Sequence, residues 1–348
     1  PFTIPGYMIS QTSSNLLKTL LNQGAVTVAF DPAQGIPLVM HMVGSSSRGP
    51  SVWMNMIKPE IGAPGASVSA IYGTGTGVGA FGGTSGAAPM VTGSAALLKQ
   101  AFPGRSPLEL KAALMNSAET NIMNLAAFFG GKLAPISRIG GGEVRVDRAL
   151  DAPAAAWDQD APSGSLSFGF VDVDNDVLNL HKKVVVHNYS NKDITYNIIP
   201  SFRFEDDQAS GAVVVSTPPK VKVKAGKEAT FPVKLTINGS LLWTNYMNSG
   251  SNGANPAALT LNEFDGYLTL DDGSKPIHLA WHVLPRQAAR TGGRSILTLQ
   301  GGQDLIELAN SGVGTAQNDA YSLLAVSPDE PEGARGANAP VPDIRAVG

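Results

Sequence analysis

One serine stands where a hydroxyl could be made to react. Ser85 lies in FGGTSGAAPMVTGSAALLKQAFPG, residues 81–104, flanked by Gly82, Gly83, Thr84, Gly86, Ala87 and Ala88, with an apolar run directly after. A serine at the mouth of a helix sits beside backbone N–H groups that lack intrahelical partners, at the positive end of the helix dipole. Its own N–H can then help to bind an oxyanion that develops during acyl transfer. Small neighbours let a peptide backbone come close. Pro89 is expected in the first helical turn, where its missing N–H costs little.

Two other chemistries compete for the same stretch. Gly77, Gly79 and Gly82 spell G-x-G-x-x-G between a strand and a helix, the setting of a dinucleotide fingerprint. The acidic residue expected about 20 positions further on is absent: Lys99 and Gln100 stand there, and the next acid is Glu109. A nucleophile elbow, G-x-S-x-G, is met at Gly83 and Ser85, but Ala87 takes the place of the last glycine. No His-Gly-Gly-Gly element accompanies it.

Elements must hold this serine in place. Residues 1–31 hold a helical pattern, SSNLLKTLLNQG, with Ser13 or Ser14 as cap and Gly24 as stop, then a strand, AVTVAF. IPLVMHMV (36–43) predicts a buried strand, and ASVSAIY (66–72) alternates like another. GTGTGVG follows as a glycine-rich loop. Residues 85–102 are apolar on nearly every side and predict a buried helix against a mostly parallel sheet. SPLELKAALMNSA begins with a capping box, Ser106 with Glu109, and Pro107 at the first helical position. GGGEVRVDRAL (140–150) closes the segment.

The pattern changes after DAPAAAWDQDAPSG (151–164), which reads as a linker. From Leu166 to about Leu284, short β-type runs are separated by Gly, Asn, Pro and Asp, as in an antiparallel β-sandwich without a catalytic group of its own. Residues 238–262 would be a long Asn/Gly-rich loop within it. DVDND (172–176) does not fit an EF-hand, because Val177 stands at loop position six and Lys183 at position twelve. It reads as a strand edge or turn. Lys220, Lys222 and Lys224 alternate on a solvated strand face or edge. Residues 291–348 start a further β pattern.

Composition bounds the function. The chain has 348 residues, enough for two or three domains with a full core. A net charge of −3 leaves no electrostatic footprint for nucleic acid. No apolar run is long enough to span a membrane. With no cysteine, disulfides and thiolate metal sites are excluded. No cofactor and no metal site is assigned. Pro1 and the closing PDIRAVG read as ends of a processed or truncated piece.

Gly83-Thr84-Ser85-x-Ala87-x-Pro89-x-Val91-Thr92-Gly93 resembles the nucleophile signature of the subtilisin-like serine proteases. SSRGP (46–50), KPEIGAPG (58–65), SPLELKAALMNSA and GGGEVRVDRAL resemble other stretches of that family in its order. Residues 1–31 resemble the end of a protease-associated (PA) insert, and 164–285 a fibronectin-III-like sandwich. The resemblance implies an α/β fold, the C-terminal half of a subtilisin-like parallel-sheet domain over 32–150, followed by all-β sandwich units. It implies a secreted or cell-surface serine endopeptidase acting on protein or peptide substrates, with Ser85 as catalytic nucleophile.

That mechanism needs Asp, His and Ser in chain order. The family's His is followed by Gly-Thr, and none of the five here is: they precede Met42, Lys182, Asn188, Leu279 and Val283. His41 alone precedes Ser85, in an apolar run that gives it a structural role. Asp31 is followed by Pro, outside the family's Asp setting. The expected partner is therefore the missing N-terminal half of the same catalytic domain, and this chain alone is expected to be inactive. The alternative is a non-catalytic binding or structural protein that keeps the fold.

Overall fold

A computed structural model describes residues 11–29, 39–51, 56–125, 131–242, 263–293, 301, 307–315, 325–326 and 346–347. The chain divides into Pro1–Met40 and His41–Gly348. In the first unit the leucine-rich run forms α1 (Gln11–Leu21), with Leu16 and Leu21 well exposed. Ser13 and Ser14 lie inside this helix and do not cap it. Residues 25–29 form no strand, contrary to the expectation for AVTVAF. A strand needs a neighbour for its backbone groups, and the described residues offer this run none.

The expected strand over 36–43, whose residues fall partly in each unit, is not formed where it is described. Residues 39–40 are a turn, and His41 makes a single parallel bridge to Met123; 36–38 lie outside the described residues. β1 (Ala66–Ala70) and β2 (Val78–Gly82) pair antiparallel, Ala66 opposite Gly82. This corrects the parallel sheet expected here. The glycine-rich 71–77 loop, closed by Ile71 N–H donating to the Gly77 carbonyl (2.9 Å), is too short for a parallel crossover.

α2 (Thr84–Ala101) and α3 (Pro107–Asn116) follow. The capping box of α3 forms as expected: Glu109 N–H donates to Ser106 Oγ (3.3 Å) and Ser106 N–H to Glu109 Oε2 (2.7 Å). Next come β3 (Met123–Leu125), β4 (Lys132–Leu133), α4 (Ile136–Ile139) and α5 (Val146–Asp151). α3 is largely buried, but α2 is not: only Gly86 and Leu98 are buried, and Met90 and Leu97 are exposed. The all-round burial expected of α2 is absent because no described element covers its outer face.

The 151–164 stretch is not a free linker. It contains β5 (Ala154–Asp158), buried at every position. Its small alanines let two layers close over it. Ala154 and Ala156 face the β core, while Ala155 and Trp157 pack with Leu110, Ala113 and Leu114 of α3.

After it come β6 (Ser165–Val173), β7 (Val177–Asn188), β8 (Ile194–Phe202), α6 (Glu205–Ser210), β9 (Val213–Ser216), β10 (Lys220–Val223), β11 (Glu228–Asn238), β12 (Phe264–Asp271) and β13 (Ile277–Gln287). Two sheets result, in the orders β10-β8-β12-β13-β6 and β5-β7-β11-β9. Alternate residues of β11 (Phe231, Val233, Leu235, Ile237) enter one core with Tyr196, Leu268 and Trp281. Pairing is antiparallel except β6 with β13, which is parallel and breaks register between His282 and Val283. This corrects the wholly antiparallel expectation: strands so far apart in sequence owe each other no hairpin geometry.

DVDND spans the end of β6 and the turn before β7, where Asp172 pairs with Arg286 and Asp174 with Arg290. Lys220 and Lys222 are exposed on β10, an edge strand. Residues 239–241 form a short 3-10 turn, and 243–262 lie outside the described residues. Four further short strands follow in two antiparallel pairs: β14 (Thr291–Gly293) with β15 (Leu308–Asn310), and β16 (Ala325–Val326) with β17 (Ala346–Val347).

Candidate active site

α2 begins abruptly. Gly83 precedes it with φ 79° and ψ −166°, a conformation that side chains with a Cβ rarely adopt. Ser85 is therefore the second helical residue, exposed, in the turn whose N–H groups have no intrahelical acceptor. Gly86 follows and presses on the β1–β2 hairpin: a Cβ there would lie 2.6 Å from Ser67 Oγ and 3.2 Å from the Gly65 carbonyl oxygen. Ser67 Oγ in turn donates to the Phe81 carbonyl (2.6 Å). Small residues at 83, 86 and 65 thus seat the hairpin against the turn that carries the hydroxyl. Pro89 is the sixth residue of α2, not in its first turn. It has no N–H to offer the Ser85 carbonyl one turn back.

Thr84, beside Ser85, borders two clefts. One has a volume of about 280 Å³, between the Thr84, Ala87 and Val91 face of α2 and a wall that includes His41, Ile61 and Arg138. The other, about 300 Å³, is formed by residues 46–50 with Lys58, Pro59 and Thr84. The motifs SSRGP and KPEIGAPG therefore meet next to the Ser85 turn. Arg138 organises the first wall: Nη1 donates to Asn124 Oδ1 (2.6 Å) and Nη2 to the carbonyls of Val43 (3.1 Å) and Ser46 (3.0 Å). Burial, and then the like charge of Arg48, lower its pKa. A further cavity of about 550 Å³ lies elsewhere, lined by Glu119, Arg148, Tyr267 and Lys275 among others, and takes no part in this arrangement.

The histidines lie in other settings. His41 borders the smaller cleft. His181 and His187 are on β7, where His187 stacks on Tyr189 at 4.3 Å between ring centroids. His278 and His282 are on β13. His278 Nε2 lies 2.8 Å from the Gly141 carbonyl oxygen, and burial pushes its pKa down to about 4 despite that contact. Among the described residues, no side chain hydrogen-bonds to Ser85 Oγ. The glycine fingerprint of 77–82 lies in the hairpin turn and β2, with Gly79 and Gly82 beside ordinary side chains and backbone. No group of three or more His, Asp or Glu suited to a metal ion occurs among the described residues.

Sequence reasoning missed a buried ionic group behind the clefts. Arg48, Glu263, Asp265 and His282 converge there from SSRGP, β12 with its preceding residue, and β13. No short-range pattern could have announced it, since Arg48 and Glu263 are 215 positions apart.

Residues 39–144 match the family model described as the subtilase family, Peptidase S8. Minor extracellular protease Vpr of Bacillus subtilis (strain 168) is 28% identical over 253 residues, covering 71% of this chain and 30% of that protein. Subtilisin-like protease SBT3.15 of Arabidopsis thaliana is 30% identical over 250 residues, covering 67% of this chain and 33% of that protein. The chain thus spans about a third of the length of these relatives. Among solved structures, the FixG-related protein from Vibrio parahaemolyticus aligns at 12% identity and a TM-score of 0.23, over 38% of this chain and 97% of that one, a likeness too slight to bear on the fold. Among the described residues, no helix is long and apolar enough to cross a membrane.

Proposed function

We propose that the chain is part of a subtilisin-like serine endopeptidase in which Ser85 is the nucleophile. The observation that carries this is the position of Ser85: exposed at the second residue of α2, in a helix that opens on a glycine of positive φ, inside the segment that matches the subtilase family. Ser85 Oγ would attack the scissile carbonyl carbon. A histidine would take the hydroxyl proton and return it to the leaving amine as the C–N bond breaks, leaving an acyl-enzyme that water then hydrolyses. The Ser85 N–H, unpaired in the first helical turn, would help to hold the oxyanion.

The histidine and its aspartate would come from polypeptide outside these 348 residues. The exposed outer face of α2, with Met90 and Leu97, is where such a segment would pack. By itself the 348-residue chain would then hydrolyse no peptide. We read residues 164–285 as the fibronectin-III-like sandwich and residues 1–31 as the end of a PA-like insert. The extracellular site named for the Bacillus relative supports a secreted or cell-surface location.

A fluorophosphonate probe tests the reading. In the longer natural protein Ser85 becomes labelled and peptide hydrolysis follows; Ser85→Ala abolishes both with circular dichroism unchanged. Peptide hydrolysis that survives Ser85→Ala overturns the reading. Absence of labelling and hydrolysis in the longer protein would favour the non-catalytic alternative.

A further inference from the structure

We propose that Arg48 of the SSRGP motif is a positioning residue, clamped by Glu263 of the two-sheet unit, which His282 contacts from behind, and that this clamp holds the cleft wall beside Ser85. Arg48 borders the cleft that Thr84 also borders, so its charge could be taken for a substrate contact. Its partners argue otherwise. One guanidinium nitrogen pairs with Glu263 Oε2, and Nε donates to Ser137 Oγ (2.9 Å). Glu263 Oε1 lies 2.8 Å from His282 Nε2. Glu263 is 2% exposed and His282 fully buried. Arg48 therefore faces inward, toward a buried carboxylate that it compensates together with His282.

The same junction is tied at the backbone. Gly49 N–H donates to the Ser137 carbonyl (2.8 Å), Ile136 N–H to Asp265 Oδ2 (2.5 Å) and Ile57 N–H to Ser167 Oγ (2.8 Å). Arg203 of the two-sheet unit reaches back to the carbonyls of Ala134 (2.8 Å) and Ile122 (3.1 Å). A buried carboxylate that loses its cation is left uncompensated, which is far costlier than replacing the whole pair by apolar groups. The clamp joins unlike elements: His282 lies within β13 and Glu263 directly before β12, on the sheet face opposite the shared core, whereas the SSRGP stretch is a loop, so the sheet is the stiffer side and residues 46–51 are the part it holds. The functional consequence rests on Ser85 being the nucleophile; the structural claim does not.

Hydrogen–deuterium exchange on the 348-residue chain tests it, with no catalysis required. In Glu263→Gln, the Gly49 and Ile136 amides should exchange at least ten-fold faster, while those of Val186 and Leu235 in the sheet core keep their rates. Arg48→Met should do the same, and the Arg48→Met/Glu263→Met pair should exchange more slowly than either single variant. Unchanged exchange at Gly49 in Glu263→Gln overturns the proposal. So does a uniform rise that includes Val186 and Leu235, or a double variant no better than the worse single one. Failure of Ser85 labelling in the longer protein would leave these exchange results standing, so the two readings fail separately.

Discussion

Asn116, the last residue of α3, is hydrogen-bonded to Ala156 of β5: its Oδ1 accepts from the Ala156 N–H at 2.7 Å. Its Nδ2 donates to the His278 carbonyl at 2.9 Å. One fully buried amide thus joins the helical segment to both sheets. Asn116→Leu leaves the Ala156 N–H and the His278 carbonyl without this partner. Each buried group so orphaned costs about 1–3 kcal/mol. Urea unfolding should show a loss of that order, with Asn116→Asp recovering none of the bond to His278.

Gly86→Ala should loosen the seat of the Ser85 turn. The new methyl would fall 2.6 Å from Ser67 Oγ, so the hairpin must shift. Overpacking of this kind costs about 1–3 kcal/mol. Adding Ser67→Ala removes the nearest atom and should recover part of the loss in thermal melting. Equal melting temperatures for the single and double variants would count against the close approach.

Asp207 on α6 should make the protein less stable as pH rises. Burial, then the nearby charges of Asp206 and Glu263, raise its pKa from 3.8 to about 7. The native state then binds more protons than the unfolded state between those values, so stability falls across that window. Asp207→Asn removes the penalty. The variant should melt higher than the parent at pH 8, and the gap should close by pH 4. Glu263 works in the opposite sense: burial acts to raise its pKa, but His282 and Arg48 hold it below the usual value. Its stabilisation is lost only as pH falls through the acid range.

The outer face of α2 should make the chain self-associate. Leu97 and Met90 are exposed there. Exposed apolar patches of this kind favour association. Leu97→Lys with Met90→Lys should lower light scattering on concentration without changing the circular dichroism spectrum, since neither side chain belongs to the buried core.

What the sequence by itself determined is local. The placing of Ser85 in the first turn of α2, the capping box of Ser106 and Glu109, and the inward alternation of Phe231, Val233, Leu235 and Ile237 all depend on residues within a few positions of one another. Helix and strand periodicity expose such patterns directly. Periodicity also misled: α2 is apolar all round, yet apolar character says only that burial would be favourable, not that a cover is present. The tertiary structure alone decided that the alanine run 154–156 is a strand gripped from both sides. It alone decided that β6 runs parallel to β13, and that Arg48 meets Glu263. The last two join residues more than a hundred positions apart, whose encounter is set by how two sheets and a helical layer pack together, and no spacing along the chain encodes it.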